Sequence, residues 1–274
     1  MSELALITGA SSGIGRELAV VHAEHRGDLV LVARREARLA DLADRLRGDH
    51  GVTVYVLDRD LSEPGAAAAL VADLDRADLK PAILINNAGF GYWGRFHEQD
   101  LARNARMVRL NVTALMELTG LLLPRMVRHG RGRILNVGST AGMVPGPRQS
   151  VYYATKAFVN SFSQALAAEL QGTGVTVTVL CPGPTESEFA AAADLQDTRS
   201  FRGRRPSSRE VAEYGYASML RGKDLVVHGW QMKTLMYLGL RVAPRRAVIR
   251  VVERLQSKRE APVAPPSGER RRRG

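Results

Sequence analysis

A tyrosine and a lysine four residues apart, Tyr152 and Lys156, are the most informative chemical pair in this chain of 274 residues. On a helix, residues four apart lie on one face, so this spacing would present a phenol and an ammonium to a common cleft. Such a pair can transfer a proton, because a nearby positive charge favours the phenolate. Taken alone, the spacing is also typical of an ordinary pair on a helix surface.

A glycine-rich segment near the start of the chain is a second chemical signal. It reads Thr8-Gly9-Ala10-Ser11-Ser12-Gly13-Ile14-Gly15, between an apolar run at residues 4–7 and a helical pattern at residues 17–25. A strand, a glycine turn and a helix in this order let the backbone approach a pyrophosphate, and the helix presents free N–H groups to the phosphates. A tight turn without a ligand has the same composition, and the glycine spacing differs from the standard dinucleotide fingerprint.

Six motifs in order resemble the short-chain dehydrogenase/reductase family, which carries Thr-Gly-x-x-x-Gly-x-Gly and Tyr-x-x-x-Lys. Both motifs are intact. The other four matches are Asn86-Asn87-Ala88-Gly89, Asn111, Ser139 and Pro182-Gly183. The six cover residues 4–185, and the likeness is looser beyond Thr185. The motif style is similar to that of steroid and long-chain 3-oxoacyl reductases.

The resemblance implies an oxidoreductase that interconverts a carbonyl and a secondary alcohol by hydride transfer, with Tyr152 as general acid and base. It implies that Lys156 binds the nicotinamide ribose and that Asn111 links Lys156 to solvent through a water. Ser139 is expected to donate a hydrogen bond to the substrate oxygen as negative charge develops. The expected cofactor-binding residues are Gly9, Ser11, Ser12, Gly13, Ile14, Gly15, Arg34, Asp60, Leu61, Asn87, Ala88, Gly89, Tyr152, Lys156, Pro182, Gly183 and Thr185.

Lys156 is further expected to lower the pKa of Tyr152, because a free phenol has a pKa of about 10 and releases its proton too reluctantly near neutral pH. An ammonium about 4 Å from a phenolate attracts it by roughly 4 kcal/mol at an effective dielectric constant of 20. Burial opposes this effect, so the net shift should be smaller. Tyr153 has the wrong helical phase for Lys156 and is assigned to packing or to the substrate wall.

The end of the second strand predicts the cofactor. It reads Leu31-Val32-Ala33-Arg34-Arg35. An acidic residue at this point holds a ribose 2′-hydroxyl, whereas arginine accommodates a 2′-phosphate. The guanidinium of Arg34 can pair with phosphate as a planar fork, and Ser11 can add a hydroxyl contact. Two merely solvated arginines are disfavoured, since cations sit poorly at helix N-termini. NADP(H) is therefore expected in preference to NAD(H).

Apolar runs alternate with helix-length segments along the chain. Near-continuous Val, Leu and Ile indicates strands covered on both faces, hence an α/β fold with a Rossmann-like, doubly wound parallel sheet flanked by helices in a single domain. The resemblance implies seven strands in the order 3-2-1-4-5-6-7. After the first strand, the predicted strands are 29–33, 52–57, 82–85, 134–137, 175–180 and 225–227. Predicted helices include 102–127, bent at Pro124, and 152–170, and Ser207 with Glu210 forms a capping box for a later helix.

Three regions are expected: an NADP-binding catalytic domain at 1–229, an apolar and basic helical extension at 230–260, and a disordered basic tail at 261–274. The single cysteine, Cys181, excludes an internal disulfide and suits a small buried residue. The six histidines show no metal-ligand spacing, so no metal is expected. The start of the chain lacks a signal-type segment, so a cytoplasmic location, with peripheral membrane contact as an option, is the expectation.

The formal net charge is +11, yet residues 241–274 alone hold 11 basic and 3 acidic side chains. The four arginines at 270–273 could bind nucleic acid or anionic lipid, but a solvated terminus is favoured because no recognition fold accompanies them. Residues 230–256 could lie in a membrane interface. They could instead cover the substrate cleft or complete a subunit interface, and this interpretation is favoured over membrane contact.

The expected substrate is a small carbonyl or alcohol compound. Residues 186–206 should close over it, and their apolar members, such as Phe189 and Phe201, suit a hydrophobic ketone or acyl chain, while their arginines could meet an anionic group. A mobile, solvated loop is the simpler alternative. The resemblance implies a homodimer or homotetramer through helices 102–127 and 152–170. A catalytically silent nucleotide-binding sensor or scaffold of the same fold is the alternative function.

Overall fold

Seven stretches rich in Val, Leu and Ile form one sheet in the computed structural model, which describes residues 3–258. The strands are β1 (Leu4–Thr8), β2 (Asp28–Ala33), β3 (Val54–Asp58), β4 (Ile83–Asn86), β5 (Gly132–Val137), β6 (Val175–Cys181) and β7 (Leu225–Val227). Their order is β3-β2-β1-β4-β5-β6-β7, and all neighbours are parallel. The predicted fold class and strand order are confirmed.

Helices fill the connections and cover both faces of the sheet. They are α1 (Gly13–Glu24), α2 (Glu36–His50), α3 (Ala66–Arg76), α4 (Leu101–Val108), α5 (Leu115–Arg128), α6 (Ser150–Glu169), α7 (Phe189–Ala192), α8 (Ser208–Leu220), α9 (Trp230–Thr234), α10 (Leu240–Val242) and α11 (Arg245–Gln256). Residues of α1, α2 and α8 pack on one face, and residues of α3, α5 and α6 pack on the other. Cys181 is buried at the end of β6, as predicted.

The central strands are buried on both faces because successive side chains point to opposite sides of a sheet. On β1, Ala5 and Ile7 pack in the cluster that includes α1, α2 and α8, whereas Leu6 packs in the cluster on the other face. All three side chains are fully buried. Full burial of a large aliphatic side chain contributes about 1.5–3 kcal/mol, which explains why these runs are nearly continuous.

The predicted helix at residues 102–127 is interrupted rather than continuous. A π-helical turn, Arg109–Ala114, separates α4 from α5, and Asn111 lies in this turn. Pro124 lies inside α5, and the predicted bend at this residue stays a prediction. The change of helix type begins at Arg109, eight residues after the start of α4. By length and composition alone, Leu101–Arg128 could cross a membrane, but in this fold Leu118 and other residues of α5 pack against the sheet.

The predicted capping box is present at the start of α8. The Ser207 hydroxyl accepts a hydrogen bond from the backbone N–H of Glu210, and the Glu210 carboxylate accepts one from the backbone N–H of Ser207. The Ser208 hydroxyl donates to the backbone oxygen of Glu186. The Ser208 bond therefore fastens the start of α8 to the segment that carries α7.

Residues 230–256 are mostly helical, and residues 257 and 258 contact the segment after α7. A π-helical turn, Leu235–Gly239, joins α9 to α10, and α11 follows. The Lys258 ammonium forms an ion pair with Asp194 at 2.6 Å. The backbone N–H of Arg199 donates to the Ser257 oxygen. The predicted tail at 261–274 lies outside the described residues.

Candidate active site

A cavity of about 670 Å³ opens at the carboxyl ends of β1, β2, β4, β5 and β6. Carboxyl ends of parallel strands share one edge of the sheet, where ligands of doubly wound folds bind. Every predicted site residue except Gly15 and Asn111 lines this cavity. The motifs that are scattered along the sequence therefore meet at one place.

The glycine turn packs tightly against the loop after β4. A Cβ at Gly9 would lie 2.7 Å from Asn87 Nδ2, and one at Gly15 would lie 2.2 Å from the same atom. Gly9 also has φ of +68°, which favours glycine. Gly15 thus allows α1 to pack closely against Asn87, and the cofactor contact expected for it stays a prediction.

Thr8 and Asn87 join the two loops by hydrogen bonds. The Thr8 hydroxyl accepts from the backbone N–H groups of Asn87 and Ala88, each at 3.0 Å. Asn87 Nδ2 donates to the Thr8 backbone oxygen at 3.0 Å. These bonds hold one edge of the cavity in place.

The residues at this end fit a dinucleotide. The N-terminus of α1 has no side-chain cap and no acidic residue in its first turn. Its N–H groups and the positive end of its dipole therefore remain available to phosphates. The Gly9 and Gly13 backbone lines the cavity directly.

Within residues 3–258, no group of three or more His, Cys, Asp or Glu side chains is placed to hold a metal.

Tyr152 and Lys156 lie on one face of α6, and both are buried. Lys156 Nζ lies 6.0 Å from the centre of the Tyr152 ring and donates a hydrogen bond to the Val137 backbone oxygen at 2.7 Å. Val137 ends β5, so the ammonium is anchored to the carboxyl edge of the sheet. The four-residue spacing thus brings the phenol and the ammonium to the cavity together.

Burial dominates the acid–base properties of this pair. It raises the pKa of Tyr152 above the ordinary value, while a side-chain hydrogen bond with Ser139 works in the other direction. Burial lowers the pKa of Lys156 to about 8. The expectation that Lys156 lowers the pKa of Tyr152 is therefore wrong for the chain by itself. The reason is that burial disfavours the phenolate more than the hydrogen bond with Ser139 favours it.

Ser139 lies between β5 and a 3₁₀ turn, Thr140–Met143. Its hydroxyl accepts from the Ala141 N–H at 3.0 Å and lies 3.4 Å from the Pro182 oxygen. Asn160 Nδ2 donates to the Ser139 backbone oxygen at 2.9 Å. A Cβ at Gly138 would lie 2.1 Å from Asn160 Oδ1. Asn160 thus positions Ser139. Its spacing of four residues from Lys156 on the same helix could have predicted that it faces the site.

Asn111 is buried behind the cavity. Its Nδ2 donates to the Phe90 oxygen at 3.0 Å and to the Thr155 hydroxyl at 3.1 Å, and its Oδ1 accepts from the Phe90 N–H. A Cβ at Gly89 would lie 3.0 Å from Asn111 Oδ1. Asn111 therefore shapes the loop after β4, and the expected water relay to Lys156 stays a prediction.

Two arginines that sequence reasoning left without a role lie beside the glycine turn. Arg35 Nη2 donates to the Ser11 and Ser12 hydroxyls at 3.0 and 2.7 Å. Arg35 and Arg38 also both bind Glu188. The signal available in the sequence was the three-residue spacing of these arginines at the start of α2.

Arg34, the predicted phosphate ligand, lines the cavity with an exposed side chain. It lies 3.6 Å from the Asp60 carboxylate, which also binds Arg106 at 3.0 Å. Burial raises the pKa of Asp60, but hydrogen bonds from Ser62 and the charges of the two arginines outweigh it and hold the pKa below its usual range. Asp60 is therefore an anion that orients Arg34.

The far end of the cavity is mainly apolar. The Phe189 ring lies 5.3 Å, centre to centre, from the Tyr152 ring. The Tyr153 hydroxyl accepts from Gln256 Nε2 at 2.8 Å, so Tyr153 is part of the wall. The C-terminal segment supplies much of the remaining wall through Met232, Leu235, Met236, Val252, Leu255 and Gln256.

The short chain dehydrogenase family model matches residues 3–198. Sulfoacetaldehyde reductase 2 of Chromohalobacter salexigens is 39% identical over 191 residues, which are 69% of this chain and 75% of that protein. A short-chain dehydrogenase from Sphingobium yanoikuyae in complex with NADPH superposes with a TM-score of 0.77 at 37% identity, covering 89% of this chain and 97% of the other. The bulky-bulky ketone specific alcohol dehydrogenase from Comamonas testosteroni gives a TM-score of 0.73 at 34% identity, covering 89% and 96%.

The matched region contains the glycine turn, the buried Tyr152–Lys156 pair and the serine loop, all on one cavity. Its residues fit a nicotinamide dinucleotide at one end and a small carbonyl or alcohol compound at the other. This chain belongs to the short-chain dehydrogenase family and is an oxidoreductase.

Proposed function

We propose that this protein is an NADP(H)-dependent oxidoreductase that interconverts a hydrophobic ketone or acyl carbonyl compound and its secondary alcohol. The observation that carries the proposal is the convergence of Tyr152, Ser139 and Lys156 on an apolar cavity that begins at the glycine turn. Bound NADP(H) supplies the hydride in one direction and accepts it in the other. The chain supplies binding, orientation and the proton.

Tyr152 is the proton donor in carbonyl reduction. Because burial raises its pKa, the phenol stays protonated at neutral pH and is ready to protonate the carbonyl oxygen as negative charge develops. The Ser139 hydroxyl, which hydrogen-bonds Tyr152, stabilises the same oxygen. In alcohol oxidation the phenolate must form, and the ammonium of Lys156 offsets its charge.

The arginines support NADP(H) as the preferred cofactor. Arg34 and Arg35 line the end of the cavity next to Ser11 and Ser12. Guanidinium groups pair with a phosphate in a planar, charge-assisted geometry. The NADPH complex of the Sphingobium yanoikuyae protein supports the same choice.

The apolar wall supports a hydrophobic substrate. Phe189, Leu195 and Val252 line the cavity near Tyr152, and Arg199 adds a basic group at the same end. The ketone-specific dehydrogenase from Comamonas testosteroni is consistent with a bulky ketone. The same wall accommodates an acyl chain, with the arginine facing an anionic group.

Exposed apolar side chains support a homodimer or homotetramer. On α4 and α5, Val108, Met116 and Leu121 are exposed, and Phe158 is exposed on α6. These are the helices expected to pair across a two-fold axis. Trp230, Leu238 and Val242 form a second set of exposed apolar side chains. For these we separately propose that a cytoplasmic enzyme touches the membrane surface peripherally.

The Tyr152→Phe variant should lose about 10²- to 10⁴-fold in turnover while it still binds NADPH, because only the proton donor is removed. Loss of NADPH absorbance with a panel of hydrophobic ketones measures turnover. Tyr153→Phe is the matched control and should retain most activity. Near-normal carbonyl reduction by the Tyr152 variant would reject the assignment and favour a nucleotide-binding sensor.

The Lys156→Met variant should be inactive yet more stable than the parent at pH 7. The parent holds Lys156 with a pKa of about 8, below the ordinary 10.5, so its unfolded state binds more protons between these values and its stability rises with pH across this window. The advantage of the variant should therefore be largest below pH 8 and shrink towards pH 10. Denaturant midpoints at pH 7 and 9.5 measure it, with exposed Lys223→Met as control. A variant less stable than the parent at pH 7 would contradict the argument.

The Arg34→Asp variant should shift cofactor preference towards NADH. The substitution replaces a phosphate partner by a carboxylate that repels a 2′-phosphate and accepts from a 2′-hydroxyl. The expected loss of kcat/KM with NADPH is about tenfold or more, since a charge-assisted hydrogen bond is worth about 1.5–3 kcal/mol. Arg35→Ala tests the neighbouring guanidinium in parallel. A parent enzyme with a higher kcat/KM for NADH than for NADPH would refute the preference.

Light scattering should give the mass of a dimer or tetramer, and Met116→Glu should reduce it to that of a monomer with unchanged circular dichroism. The reason is that a charge buried between apolar helices destabilises the contact. Tyr55→Glu, at a similarly exposed position on β3, is the control and should leave the mass unchanged. A monomer mass for the parent across a wide concentration range would reject the oligomer.

A further inference from the structure

Glu188, immediately before α7, holds both arginines at the start of α2. Its Oε2 lies 2.7 Å from Arg35 Nη1 and its Oε1 lies 2.5 Å from Arg38 Nη1. Each carboxylate oxygen therefore has its own guanidinium. The same Arg35 reaches the Ser11 and Ser12 hydroxyls of the glycine turn.

This arrangement resembles the way a phosphate is held. Two guanidinium groups bind one anion beside the glycine turn, and one of them, Arg35, also donates to the Ser11 and Ser12 hydroxyls. Hydrogen bonds from Arg35 and then Arg38 keep the pKa of Glu188 below its usual range, so the carboxylate is ionised. About half of the Glu188 and Arg38 side chains is exposed, so a dissolved anion can reach them. A phosphate monoester carries more negative charge than a carboxylate and offers three acceptor oxygens.

The next residue, Phe189, covers the proton donor. Its ring lies 5.3 Å from that of Tyr152. The ring also packs under Gly91, where an added Cβ would lie 2.9 Å from Phe189 Cζ. The Gln149 Oε1 atom, 3.5 Å from the same Cβ position, is buried without a hydrogen-bond partner in the described chain. Two consecutive residues, Glu188 and Phe189, therefore bind the two arginines and cover the part of the cavity next to Tyr152 and Gln149.

We propose that Glu188 is an internal competitor for the cofactor 2′-phosphate, and that its displacement moves Phe189 away from Tyr152. The inference rests on the proposed function, in which the 2′-phosphate binds beside Arg34 and Arg35, and it adds Arg38 as a further guanidinium within reach of that phosphate. The phosphate replaces the carboxylate on the guanidinium groups, and like-charge repulsion then drives Glu188 outwards. NADH has no 2′-phosphate, so it leaves the Glu188 pair intact. Glu188 is thus a specificity-determining residue that makes the opening of the substrate end depend on NADP(H).

The affinity test compares the full chain with Glu188→Gln by isothermal titration calorimetry. The glutamine keeps the shape and removes the charge, so NADPH should bind about tenfold more tightly to the variant, whereas the Kd for NADH should change less than twofold. Glu186→Gln, at an exposed position two residues earlier, is the matched control and should leave both constants unchanged. An unchanged or weaker NADPH affinity in Glu188→Gln would overturn the competitor role.

The opening test measures hydrogen–deuterium exchange in residues 188–195. The N–H groups of Ala192, Ala193, Asp194 and Leu195 are hydrogen-bonded within this segment, so their exchange reports its opening. NADPH should speed exchange several-fold in the parent and NADH should not, and Glu188→Gln should exchange fast without cofactor. Equal exchange with both cofactors would overturn the coupling to Phe189. If the parent binds no NADPH at all, the proposed function itself fails, which calorimetry distinguishes from a failure of the competitor role.

Discussion

The structure depends on placing the ammonium of Lys156 in a buried position at the end of β5. Burial alone disfavours this charge, and the hydrogen bond to the Val137 oxygen offsets part of the cost. Residues of α6 before and after Lys156 form hydrogen bonds with the neighbouring elements. Thr155 accepts from Asn111, and Asn160 donates to the Ser139 oxygen. The loops after β4 and β5 are thus positioned by neighbouring residues of a single helix.

A buried polar ladder makes this platform rigid. Asn86 Nδ2 donates to Asn136 Oδ1 at 2.9 Å and to the Thr119 hydroxyl at 3.1 Å, and Asn136 Nδ2 donates to Ser163 at 2.9 Å. These bonds connect β4 and β5 with α5 and α6 beneath the site. Buried polar groups are costly when unpaired, so shifting one element past another would break several bonds at once. Tyr152 consequently rests on a rigid base, while the segment above it carries the half-exposed ion pairs of Glu188.

The parts that could be predicted from the sequence are those whose signal is local. The glycine turn, the Tyr152–Lys156 spacing and the Ser207–Glu210 box each occupy a few consecutive residues. The alternation of apolar runs predicted a parallel sheet covered on both faces, whereas the strand order came from the family resemblance. The contacts between Arg35 and Glu188, 153 residues apart, and between Gln149 and Gln256, 107 residues apart, have no local signal. The direction of the Tyr152 pKa also depends on burial by the whole fold, and pairwise charge attraction pointed the other way.

The two ends of the cavity differ in how they are built. The cofactor end uses backbone, hydroxyls and arginines within residues 3–198, where the family model matches. The substrate end is completed by Met232, Leu235, Val252 and Leu255, all beyond that match. These side chains form part of the cavity wall. They are apolar and take no part in the hydrogen bonds of Lys156 and Ser139. Substitutions there can reshape the apolar wall while Tyr152, Lys156 and Ser139 keep their positions.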